Sequence, residues 1–170
     1  AITARGLNGS NNSSPNKLLV LIDGRSVYTP LFSGVFWDSQ DVILEDIERI
    51  EVVSGPGGTL WGVNAVNGVI NITTRAATST VGSLAVAEAG TRGSDVRFRQ
   101  GTRTTAGAWR VYGKYLDRRH TETAGGMVVD DARHQAQAGF RGDWSWGADS
   151  ASLNAHAYQG GAGQPAPGVI

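Results

Sequence analysis

The sequence predicts a two-part β-rich fold: a small α+β unit with a mixed sheet, short helices and long loops, then antiparallel strands of the transmembrane β-barrel kind. Three observations carry this. Residues 18–22, LLVLI, are a continuous apolar run closed by Asp-Gly, as expected of a strand buried on both faces. Residues 49–72, RIEVVSGPGGTLWGVNAVNGVINI, set two apolar strands around a glycine-proline knot. From 132 to 146 the side chains alternate for fifteen residues, far beyond the roughly five or six of an ordinary strand.

In the first part, RSVYTPLFSGVFWDSQD is aromatic but broken by Pro30 and Gly34, and reads as a long loop. LEDIERI spaces Leu44, Ile47 and Ile50 three apart, which predicts one helical turn before IEVVSG extends. In the knot, Gly55, Gly57, Gly58 and Gly62 permit left-handed backbone and Pro56 stiffens the turn. GVINITTR, residues 68–75, reads as a second buried strand.

The texture changes near TTRAATST, residues 73–80. In 132–146, Ala136, Ala138, Phe140, Trp144 and Trp146 oppose Arg133, Gln135, Gln137, Arg141 and Asp143. Residues 150–158 repeat the design, as do 108–115, with Trp109, Val111 and Tyr115 against Arg110, Tyr112 and Lys114, and 94–101, with Val96 and Phe98 against Arg97 and Arg99. Small apolar residues opposite Arg and Gln form the dyad pattern of a barrel with lipid outside and a wet lumen inside. A soluble antiparallel sheet with one wet face gives the same alternation in shorter runs. After TRG, residues 91–93, the connections run short, long, short, and Trp109, Trp144 and Trp146 all lie beside short turns, which predicts one interfacial belt.

Composition narrows the function. The 170 residues are 40% apolar, enough for a core, and 15 basic residues balance 15 acidic ones, so no net field draws nucleic acid. The absence of cysteine removes disulfides and thiolate chemistry. The longest apolar run, Leu18 to Ile22, is far too short for a membrane helix. The opening AITARG has no methionine or basic leader and the close GQPAPGVI reads as mid-loop, so a piece of a longer protein is expected.

No enzyme motif survives inspection. Gly57 and Gly62 have phosphate-loop spacing, but Val63-Asn64 stands where Lys-Ser/Thr is needed, and Leu60 replaces the third glycine of a dinucleotide fingerprint. His120, His134 and His156 are scattered with no metal-binding spacing. Asp130-Asp131 and Glu45-Asp46 read as solvated charge. No catalytic residue, metal or cofactor is implied.

RGLNG, KLLVLIDGRSVY and LEDIERIEVVSGPGGTLWGVNAVNGVINITTR resemble, in order and spacing, the plug domain of TonB-dependent outer-membrane receptors. The resemblance spans about residues 2–75. It implies that residues 1–77 are a plug lacking its N-terminal part, and that 78–170 are about the first five strands of a truncated, roughly 22-stranded barrel. Such receptors reside in the bacterial outer membrane, with the plug in the lumen facing the periplasm. They import a scarce ligand such as a ferric siderophore or cobalamin, and a TonB-type energy transducer acts through an N-terminal box absent here. Outer-membrane lipid surrounds the barrel.

By the same resemblance, Tyr28 to Asp38 is the upper plug loop, where Tyr28, Phe32, Phe36 and Trp37 offer stacking surface and Asp38 one charge to a ligand. The plainer role for these aromatics is packing the plug on the barrel wall. Residues 8–16, NGSNNSSPN, turn toward the periplasm. Arg5, Arg49 and Glu51 match positions that form plug-barrel charge pairs, whereas Ser54 stands where arginine is common. The rival expectation is a soluble β-rich binding or adhesion module.

Overall fold

The computed structural model describes residues 18–29, 35–62 and 64–164. The chain divides into two compact units, residues 1–75 and 76–170.

In the first unit, β1 (Leu18–Ile22) turns through Asp23 and Gly24 into β2 (Arg25–Ser26). Both turn residues are left-handed, at φ 50° and 76°, which suits a two-residue hairpin turn and explains the Asp-Gly pair. A 3-10 turn over Leu44–Asp46 leads into β3 (Ile47–Ser54), and a short helix α1 (Gly58–Trp61) precedes β4 (Gly68–Thr74). The sheet order is β2-β1-β4-β3, with β1 parallel to β4 and β3 antiparallel to it.

Alternation along the two central strands builds a core on each face. Leu19 and Val69 pack with Ala65 on one side, joined by Leu21 and Trp61. Val20 packs with Val27 and Val35 on the other, joined by Ile22, Ile70, Tyr28 and Trp37. Val20 and Val69 are almost fully buried, each worth about 1.5–3 kcal/mol. Asp23 locks the end of β4: its carboxylate accepts the Thr74 N–H at 2.7 Å and the Thr74 hydroxyl at 2.8 Å.

The knot uses its glycines for different ends. Only Gly55 and Gly62 adopt positive φ, 106° and 90°. Gly57 sits at φ −119°, where a Cβ would press on Trp61 at 3.2 Å, and Gly58 opens α1 in helical conformation. The left-handed backbone permitted at Gly57 and Gly58 is therefore not used: one glycine answers to packing, the other begins a helix.

The second unit is one antiparallel sheet in chain order: β5 (Gly82–Gly90), β6 (Gly93–Thr104), β7 (Gly107–Arg118), β8 (Arg133–Trp146) and β9 (Asp149–Ala162). Two-residue turns join β5 to β6, β6 to β7 and β8 to β9, while residues 119–132 make the long connection. That connection is ordered by a bridge between Glu122 and Val128 and by Asp131, which accepts the Thr121 N–H and hydroxyl at 2.7 and 2.6 Å.

Candidate functional site

Direct pairing in the sheet places residues on a common face. The register stacks Ala85, Phe98, Gly113, Ala138 and Ala157 across all five strands, and Ala87, Val96, Tyr115 and Ala136 beside them. The opposite face aligns Val86, Arg97, Lys114, Gln137 and Tyr158. Exposure is inverted relative to a soluble protein. Val96 and Phe98 are 49% and 50% exposed, whereas Asp95, Arg97 and Arg110 are 5%, 2% and 3% exposed.

The polar face supports its own charges. Arg97 lies 2.5 Å from Glu88 and 2.8 Å from Asp95, and Lys114 lies 3.6 Å from Asp95. The Arg97 Nε to Asp95 Oδ1 approach is an ion pair too bent to count as a hydrogen bond. Low exposure strengthens the Arg97–Asp95 and Lys114–Asp95 pairs and makes their loss costly, while Glu88 is largely exposed. On the apolar face, Phe140 stacks between Trp109 and Trp144 with ring centroids 6.5 and 6.4 Å away, so these aromatics form one cluster near the 105–106 turn.

In the first unit, Tyr28 and Trp37 pack half-buried against the Val20, Val27 and Val35 cluster. Phe36 beside them is 48% exposed. Trp37 Nε1 is buried with no hydrogen-bond partner among the described residues. Asp38 falls in the 3-10 turn Trp37–Ser39, while Phe32, residues 8–16 and Arg5 lie outside the described residues. Arg49 and Glu51 are brought together on β3: Arg49 Nε is 3.3 Å from Glu51 Oε1, and Asn71 Nδ2 donates to Glu51 Oε2 at 2.7 Å. Both side chains are about half exposed.

Among the described residues no group of three or more His, Asp or Glu is placed to hold a metal. No described helix is long and apolar enough to cross a membrane, which bears on helices alone. Sequence reasoning missed the contacts of Asp23, Asp95 and Asp143. Asp143 offers one weak signal, the one acid on a strand face that carries Arg133, Gln135, Gln137 and Arg141.

A protein-family comparison matches residues 1–69 to the TonB-dependent receptor plug domain. Residues 1–69 are a TonB-dependent receptor plug domain. The curated proteins similar to this stretch include, by their names, a transporter and an outer-membrane virulence protein. Over 75 residues the chain is 39% identical to the vitamin B12 transporter BtuB of Vibrio vulnificus, a stretch covering 44% of this chain and 12% of that protein. Over 81 residues it is 36% identical to the ferric enterobactin receptor PirA of Pseudomonas aeruginosa, covering 42% of this chain and 11% of that one.

Solved structures extend the likeness past the plug. The copper transporter OprC matches with a TM-score of 0.67 at 19% identity, over 88% of this chain and 24% of its own. A point mutant of the ferric enterobactin receptor PfeA of Pseudomonas aeruginosa, solved with enterobactin, matches with a TM-score of 0.63 at 20% identity, over 87% of this chain and 26% of its own. The chain thus spans about a quarter of the length of these receptors. The likeness shows the fold: a mixed plug sheet followed by a five-stranded antiparallel sheet, as in the N-terminal part of barrel receptors.

Proposed function

We propose that the chain is part of an outer-membrane active transporter that binds a scarce ligand, such as a ferric siderophore or cobalamin, and imports it with energy from a TonB-type transducer. One observation carries this reading: downstream of a TonB-receptor plug, the sheet leaves Val96 and Phe98 half exposed on its apolar face while Asp95, Arg97 and Arg110 on the other face have little exposure. Lipid satisfies the first and an aqueous, plugged lumen the second. A soluble adhesion module requires the reverse, with Val96 and Phe98 covered. In this reading residues 1–77 are the plug, 78–170 open a roughly 22-stranded barrel, and energy enters through the transducer's hold on a segment upstream.

The ligand surface is assigned to the loop of Tyr28, Phe32, Phe36, Trp37 and Asp38. An exposed Phe36 offers stacking area to an amphiphilic ligand. Tyr28 and Trp37 also hold the loop to the core, so the packing role and the ligand role coexist. Arg5, Arg49 and Glu51 are assigned to plug-barrel charge pairing, with Arg49 and Glu51 already held as a pair.

The test is uptake of cyanocobalamin and of ferric enterobactin by receptor-deficient cells carrying the full-length protein, with and without an active TonB system. Energised uptake of one supports the reading; uptake of both ligands unaffected by loss of TonB refutes it. Phe36→Ala should weaken binding of the accepted ligand with the barrel intact, and unchanged affinity removes the loop assignment.

A further inference from the structure

We infer that residues 77–80 are a fixed anchor, clamped to the second unit's sheet by Asp143, Arg110 and Arg103, so that this connecting turn opens only when that sheet does and not with the first unit.

Ala77–Ser79 form a 3-10 turn entering β5. Short turns between units ordinarily sit on the surface, yet Ala77 is 0% and Thr80 2% exposed. The Ala77 N–H donates to Asp143 Oδ2 at 2.6 Å, across 66 residues of sequence. Asp143 is held from two other sides, by Arg141 Nε at 2.9 Å and by the Ser152 hydroxyl. Its carboxylate therefore has a set position before the turn docks.

Two further contacts repeat the pattern from neighbouring strands. Arg110 Nη1 donates to Thr80 Oγ1 at 3.1 Å, and that hydroxyl lies 3.2 Å from the Ala77 carbonyl, closing the turn on itself. Arg103 Nη2 donates to the Thr78 carbonyl at 3.1 Å. On β6, a Cβ at Gly101 would run into the Thr80 carbonyl oxygen, so only glycine lets this backbone lie so close. Residues of β6, β7 and β8 thus converge on four residues of connecting chain. Charge-assisted bonds with little exposure are among the stronger contacts a polar turn makes.

One residue upstream the allegiance changes. The Arg75 N–H donates to the Asp46 carbonyl at 2.7 Å, and Arg75 Nε lies 3.4 Å from the Ile47 carbonyl, so Arg75 is tied to the first unit. The division between the two units falls at this place. The chain from Ala77 onward is therefore expected to open with the sheet, and Arg75 with the first unit.

The test is amide hydrogen exchange along a urea series on the full-length protein in detergent micelles. The Ala77 and Thr80 amides should keep their protection to the urea concentration at which Val111 and Phe140 lose theirs, while Val20 and Val69 exchange earlier. Asp143→Ala should speed exchange at Ala77 by roughly ten- to a hundredfold, the loss of one charge-assisted bond, without moving Val69. Asp143→Asn keeps an acceptor oxygen and should restore most of the protection. Ala77 exchanging together with Val69 in the unaltered protein overturns the anchor, as does an Asp143→Ala protein that leaves Ala77 unchanged. The urea series needs no variant, so a poorly folding Asp143→Ala leaves a decisive result.

Discussion

Replacing Phe98 by arginine separates a lipid-facing sheet from a water-facing one. Phe98 is the sixth of twelve residues in β6, half exposed, and flanked on its face by Ala85 and Gly113. Twelve residues at about 3.3 Å each extend about 40 Å, or about 30 Å along the bilayer normal at a tilt of about 40°. Phe98 then lies within about 2 Å of the midplane, where an arginine costs about 2–4 kcal/mol. That corresponds to a roughly 30- to 700-fold smaller folding constant.

Thr102 shares the face, since it pairs with Trp109, but sits about 10 Å nearer the turn. Arginine there should cost about 0–1 kcal/mol. The assay is reversible folding of the full-length protein into phospholipid vesicles along a urea series, followed by tryptophan fluorescence. In water an already half-exposed side chain would change stability by only about 0.5 kcal/mol. A Phe98→Arg penalty below about 1 kcal/mol, or one equal to that of Thr102→Arg, refutes the lipid assignment.

Three further outcomes follow from single contacts. Asp23→Ala leaves the buried Thr74 N–H without its acceptor and puts alanine at φ 50°, so plug stability should fall by about 2–4 kcal/mol in denaturant titration, with Asp23→Asn losing under half of that. Gly139→Val should cost about 1–3 kcal/mol because the Tyr112 ring occupies the space of the missing Cβ. Gly113→Ala, whose Cβ meets only the Gln137 carbonyl at 3.8 Å, should be tolerated in the same assay. The hydrogen bonds from Thr121 hold the Asp131 carboxyl below the usual carboxylate range. With the folded value depressed, the contact is complete above the ordinary range and is lost as pH falls through the lowered one. The protection factor of the Thr121 amide should fall on acidification and stay high at neutral pH; a protection factor unchanged down to pH 2 removes the contact.

Much of the architecture was legible because its signals are local. The run LLVLI and the Asp-Gly turn each declare themselves within a few residues, whereas the helical turn expected from Leu44, Ile47 and Ile50 is only Leu44–Asp46, because Ile47 and Ile50 already pair with β4 as part of β3. Alternation in 132–146 declared β8 almost to its ends, Arg133–Trp146. The candidate loop was legible as composition only: nothing in FWDS distinguishes Trp37, tucked against Val20 and Val35, from Phe36, turned outward. The Gly57 and Gly58 conformations escaped for a related reason. Glycine announces freedom, and the neighbours Trp61 and Ala65 decide how it is used.

By itself the sequence determined which residues share a face, since a period of two is a property of the extended backbone. It also determined the family of the plug, through motifs in a set order. Only the tertiary structure decided which face has the greater exposure, that β1 pairs with β4 across the intervening β3, and that Asp143 holds Ala77 from 66 residues away. The physical reason is one of range. Dihedral preference and side-chain alternation act over neighbouring residues, whereas burial and the meeting of a carboxylate with a distant amide depend on how whole strands close upon one another.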